Sequence, residues 1–141
     1  MAAGNVCIII VDDNAHMRRL IGTVLGALPG AEVIEARSPS AARALMVAHR
    51  PHLVILDWSG DHTDGVLFLH HLRRGEIGRR DVPVLALSRT LHHVVLEQAL
   101  EIGIDEVIGK PISAMEMIDR ATTLIEFDRR RRERADADAA E

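Results

Sequence analysis

Asp12, Asp13, Asp57, Ser88 and Lys110 carry the chemistry that this 141-residue sequence offers, and each follows an apolar run. Asp12 and Asp13 come after Val6–Val11, Asp57 after Leu53–Leu56 and Ser88 after Val84–Leu87. Lys110 follows Glu106–Ile108 across Gly109 and is the single lysine among 17 basic residues. Three carboxylates held together repel one another, so their pKa values rise or a cation joins them. Oxygen ligands without His or Cys suit a hard cation, Mg2+ foremost, which keeps several waters and takes one or two carboxylates. A metal beside an ammonium and a hydroxyl receives the oxygens of a phosphoryl group. An aspartate within reach of phosphorus can attack it and become an aspartyl phosphate, with Lys110 and Ser88 stabilising the phosphoryl oxygens.

The apolar runs are the elements that must position these residues. Val6–Val11 (VCIIIV) is continuous and β-branched, the pattern of a strand buried on both faces. Met17, Leu20, Ile21, Val24, Leu25 and Leu28 then fall at helical spacing, capped by Asn14 and stopped by Pro29-Gly30. Glu32–Ala36 reads as a second strand, and Ser38-Pro39 opens a helix that ends at Pro51. Leu53–Leu56 is a third strand, followed by a helix from about Asp64 to Arg74. Val84–Leu87 is a fourth strand, followed by a stripe of Leu91, Val94, Val95, Ala99 and Ile102. Glu106–Ile108 is a fifth, and Ser113 caps a last helix with Met115, Ile118, Thr122 and Ile125 on one face. Five strands alternating with five helices predict a doubly wound α/β fold with a parallel sheet. Ligands bind such sheets beyond the carboxyl ends of the strands, the rim where the five residues converge.

Composition narrows the function classes. The chain is 48% hydrophobic and 27% charged, an ordinary globular balance. One cysteine, Cys7, excludes a disulfide framework and a paired-cysteine metal site. No apolar run reaches the length of a membrane span, and MAAGN has no signal-peptide pattern, so a cytoplasmic protein is expected. A net charge of -4 and 2% aromatic residues give neither a general basic surface for DNA nor a base-stacking platform. The eight histidines read as solvated surface residues, and Met115 and Met117 as core or near-core.

Together Asp12-Asp13, Asp57, Asp64-Gly65, Ser88 and Lys110-Pro111 resemble the receiver domain of two-component response regulators, in its CheY-like form. The resemblance covers roughly residues 5–126 and implies a flavodoxin-like sheet of order 2-1-3-4-5 flanked by five helices. It implies that Asp57 is the phosphoacceptor, and that Asp12, Asp13, Asp57 and the Ser59 backbone carbonyl hold Mg2+. Ser88 and Lys110 would read the phosphoryl group, and the Lys110-Pro111 bond would be cis. The implied partners are a histidine kinase or phosphotransfer protein and a downstream protein bound on the face of helix 4, strand 5 and helix 5. With no DNA-binding or enzymatic segment after residue 126, the expectation is a single-domain regulator that is not an enzyme beyond its own phosphorylation and dephosphorylation.

The sequence departs from the family pattern in three places. Gly60-Asp61 replaces the usual Met-Pro after the phosphoacceptor, Arg89 replaces a small residue after Ser88, and Val107 stands where a switching Tyr or Phe is usual. These departures sustain an alternative, a degenerate receiver acting as a binding module. Residues 127–141 are an arginine-rich then acidic extension, expected as the end of the last helix and a frayed tail. A sharper reading makes Arg129–Arg132 an anion-binding arm, similar in composition to segments that bind cyclic di-GMP. An Asp-nucleophile phosphatase of the haloacid dehalogenase type is disfavoured because Asp12-Asp13-Asn14-Ala15 lacks its DxDx[TS] pattern. A flavodoxin-like FMN carrier is disfavoured because adjacent carboxylates after the first strand repel phosphate.

Overall fold

The apolar run Val6–Val11 forms strand β1, and Ile8, Ile9 and Ile10 on it are wholly buried. The structure is a computed structural model that describes residues 5–58 and 63–140, so Ser59, Gly60 and Asp61 lie outside the described residues. The remaining elements are α1 (Ala15–Leu25), β2 (Ala31–Ala36), α2 (Pro39–His49), β3 (Leu53–Asp57) and α3 (Thr63–Arg73). After them come β4 (Val84–Ser88), α4 (His93–Ile102), β5 (Glu106–Gly109) and α5 (Ala114–Ala140). All four strand pairings are parallel, as the alternating pattern predicts, and the order is β2-β1-β3-β4-β5, as the resemblance implies.

Alternation along β1 divides the core. Ile9 and Val11 join Val54, Leu56, Phe68 and Leu72 on one face, while Ile8 and Ile10 join Ile21, Leu25, Ile55 and Met117 on the other. Each such aliphatic side chain contributes about 1.5–3 kcal/mol on burial, so the central strands are fixed from both sides. Register then brings the strand ends level, with Val11 opposite Leu56, Asp57 opposite Leu87 and Ser88 opposite Gly109. Local chemistry agrees. The Asn14 side chain accepts the Met17 amide and that of Ser38 accepts the Ala41 amide, with Pro39 in the first turn of α2.

Four expectations change. α5 does not fray after the arginines but runs on to Ala140. Glu126 pairs with Arg129 and Arg130, Arg129 with Glu133, and Asp128 with Arg131 and Arg132, all three or four residues apart on the helix. Met115 is 79% exposed, because the buried stripe of α5 starts at Met117 and continues through Ala121 to Asp128. Leu91 and Val94 are exposed as well; Leu91 precedes α4 and lies beside Gly109. His52 is not a solvated residue: its Nδ1 accepts the Cys7 amide at 2.9 Å, which ties the start of β3 to β1.

Candidate functional site

Asp12 follows β1 directly and is 3% exposed, a rare place for a carboxylate. Its Oδ1 accepts the Asn14 amide at 2.9 Å, whereas its Oδ2 is buried with no hydrogen-bond partner among the described residues. Asp13 beside it is exposed. Asp57 ends β3, and its Oδ1 accepts the Lys110 Nζ at 2.6 Å; the same ammonium is 3.7 Å from Asp12 Oδ2. Lys110 is placed by its own amide, which donates to Ser88 O at 2.8 Å, and it precedes a cis Lys110-Pro111 bond. Ser88 is buried; its Oγ donates to Thr90 O at 2.8 Å and accepts the Thr90 amide at 3.3 Å. All five sequence-predicted side chains line one cleft of about 280 Å3.

Electrostatics shows what this cleft lacks. Burial is the main cause that pushes the Asp12 carboxyl above its ordinary value, and the charges of Asp57 and Asp13 add to it. The Asn14 amide and Lys110 pull the other way without cancelling the rise. Carboxylate oxygens of Asp12, Asp13 and Asp57 lie within 4.8 Å of one another, and one ammonium does not balance three negative charges. An unpartnered, buried Oδ2 in an all-oxygen cluster fits a hard divalent cation such as Mg2+. The fourth expected ligand, the Ser59 carbonyl, lies outside the described residues.

Several neighbours were not singled out from sequence for this site. Trp58 lines the cleft and is buried, its Nε1 without a hydrogen-bond partner among the described residues. Thr90 holds the Ser88 hydroxyl, and Arg18 Nη1 donates to Asp12 O at 2.7 Å. A signal existed for Thr90, since a residue two places past a strand-end serine is within reach of its hydroxyl. Arg18 carried none, because it lies on a helix face whose direction the apolar stripe alone leaves open. Arg89 is exposed at the cleft mouth, and Val107 packs against the core beside Ala86 of β4. The arginines of the extension do not form a free arm: Arg129 and Arg130 are paired to glutamates, and Arg131 to Asp128 and the Asp81 carbonyl.

The sequence profile of the response regulator receiver domain matches residues 8–122. The phosphate regulon transcriptional regulatory protein PhoB of Pseudomonas aeruginosa is 34% identical over 118 residues, covering 84% of this chain and 51% of that protein. A protein-glutamate methylesterase/protein-glutamine glutaminase of Caulobacter vibrioides is 36% identical over 111 residues, 76% of this chain and 31% of its own length. The chain therefore spans about half the length, or less, of these curated relatives. Among solved structures, NtrX from Brucella abortus in complex with ADP superposes with a TM-score of 0.82 at 27% identity, over 94% of this chain and 30% of that one. Chemotaxis protein CheY4 of Vibrio cholerae superposes at 0.76 with 19% identity, over 86% of this chain and 99% of its own, and shows the shared fold. Matched along most of its length, with the acids, hydroxyl and ammonium of its strand ends around one cleft, the chain belongs to the response regulator receiver domain family.

Proposed function

We propose that Asp57 accepts a phosphoryl group from a phosphohistidine of a histidine kinase or phosphotransfer protein. A carboxylate oxygen of Asp57 attacks phosphorus in line, the P–N bond breaks, and the imidazole leaves with the bonding electron pair and takes up a proton. Asp12, Asp13 and Asp57 hold Mg2+, which when bound neutralises charge on the phosphoryl oxygens. Lys110 moves from the carboxylate it now contacts at 2.6 Å to a phosphoryl oxygen. Ser88 turns its hydroxyl from the Thr90 carbonyl to another, which frees the loop after β4. The observation that carries this reading is the Lys110–Asp57 contact beside the orphaned Asp12 Oδ2.

Output on this reading is a protein contact on the face of α4, β5 and α5, where Val94, Leu100 and Met115 are exposed. Val107 provides no aromatic ring to turn inward, so the Ser88–Thr90 loop carries the change to α4. The test is intact mass after incubation with acetyl phosphate. One phosphoryl group is expected with Mg2+, none after chelation and none in Asp57→Asn. An unmodified wild type with Mg2+ present, or equal modification of Asp57→Asn, overturns the proposal.

A further inference from the structure

At the pole opposite the acids, a cleft of about 470 Å3 lies beyond the amino ends of β3 and β4. Met46 and Val82, each 1% exposed, give it an apolar floor that Val47 extends to the rim. Three guanidinium groups border it: Arg50 at the end of α2, Arg79 before β4, and Arg132 on α5. Arg79 is already engaged by Asp81 at 2.6 Å and by both oxygens of Asp128 at 2.9 and 2.7 Å. Arg132 is placed differently, with its Nε 3.4 Å from Asp128 Oδ2. That Nε is shut off from solvent and has no hydrogen-bond partner among the described residues. Arg50 is exposed at the rim and forms no ion pair among the described residues. Burial is the first cause that lowers the pKa of His52 nearby; the charges of Arg132 and Arg79 lower it further, while Asp128 and the hydrogen bond from the Cys7 amide oppose them.

We propose that this cleft binds a small organic phosphate of nucleotide size, with its phosphate between Arg50 and Arg132 and its flat apolar part over Met46, Val47 and Val82. Guanidinium forks match the oxygens of a phosphate and supply charge-assisted hydrogen bonds to it. The volume falls within the roughly 300–1,000 Å3 of small-molecule sites. A bare anion leaves the apolar floor in water, and an uncharged ring leaves the Arg50 guanidinium at the rim without a counter-charge. No lining residue is shared with the acid cluster, so the site stands or falls independently of phosphoryl acceptance at Asp57.

Titration calorimetry of the full chain with AMP, GMP, CMP and UMP tests this, with inorganic phosphate and adenosine as comparisons. At least one nucleotide binds one-to-one, roughly tenfold or more tightly than phosphate or adenosine. Arg132→Gln and Arg50→Gln each weaken it by roughly tenfold, while Arg19→Gln on α1, away from the cleft, leaves it unchanged. Arg50 lies outside the Asp128 ion-pair network, so its substitution keeps the test valid even where Arg132→Gln disturbs folding. The proposal is overturned by no binding of any of the four, by phosphate binding as tightly, or by binding indifferent to Arg50→Gln. Self-association of the chain through Asp136 and Asp138 of a second copy, lost in Arg50→Gln, overturns it too.

Discussion

Asp12 and Asp128 are both aspartates at 3% exposure or less, one at each end of the molecule, and their surroundings drive them in opposite directions. Burial raises the pKa of each. At Asp12 the neighbouring Asp57 and Asp13 push the same way, and the carboxyl ends above its ordinary value of 3.8. At Asp128 the hydrogen bonds of Arg79 and Arg131 and the charges of Arg79 and Arg132 outweigh burial, and the carboxyl ends below it. One end is an ion cluster whose charges are met within the chain. The other gathers three carboxylates against one ammonium, an all-oxygen set that fits a hard divalent cation.

The largest expected difference lies in metal affinity. Trp58 is the only tryptophan and lines the acid cleft, so its fluorescence reports Mg2+ without a label. Asp12→Asn weakens Mg2+ binding by roughly 100-fold, at or beyond the loss from disturbing an outer-shell partner. Asp128→Asn leaves it unchanged. Equal affinities in wild type and Asp12→Asn would remove the distinction between the two ends.

Next comes stability without metal, where the same change has opposite signs. Asp128→Asn costs about 3 kcal/mol in urea unfolding at pH 7, because three guanidinium groups lose a shared buried partner. Asp12→Asn gains about 1 kcal/mol, because an amide there carries no charge to repel Asp57 and Asp13 and donates toward them. pH separates the two further. Asp128 is depressed, so its stabilisation is complete above 3.8 and is lost as pH falls through its lower folded value. Asp12 is raised, so its penalty is absent below 3.8 and grows as pH rises toward its higher folded value. Asp12→Asn therefore begins to stabilise above 3.8 and does so in full above that higher value, and the effect of Asp128→Asn fades under acid. The smallest effect is that of Arg129→Ala, an exposed helix pair, which leaves the unfolding midpoint unchanged.

The acid end was readable in the sequence because its residues follow buried strands, and Val6–Val11, Leu53–Leu56 and Val84–Leu87 announce themselves as unbroken apolar runs. Parallel pairing then brings the residues after those runs to one rim without any long-range information. The other end was not readable. Asp128 looks like a solvated residue beside four arginines, and the partner that gives it meaning, Arg79, is 49 residues away in a loop. The same holds for His52, which meets the Cys7 amide 45 residues earlier, and for the helical course of residues 127–140, which depends on which face of α5 docks. Met115 misled because a helical stripe has a beginning, and the buried stripe here begins two residues later.

The central claim is that Asp57 forms a mixed anhydride with phosphate under the control of a divalent ion. Borohydride reduces such an acyl phosphate to an alcohol, converting that one aspartate to homoserine. Peptide sequencing by mass spectrometry after acetyl phosphate, Mg2+ and borohydride is predicted to place homoserine at position 57, and to find none when Mg2+ is chelated. Homoserine at position 12 or 13, or at 57 irrespective of metal, would contradict the account.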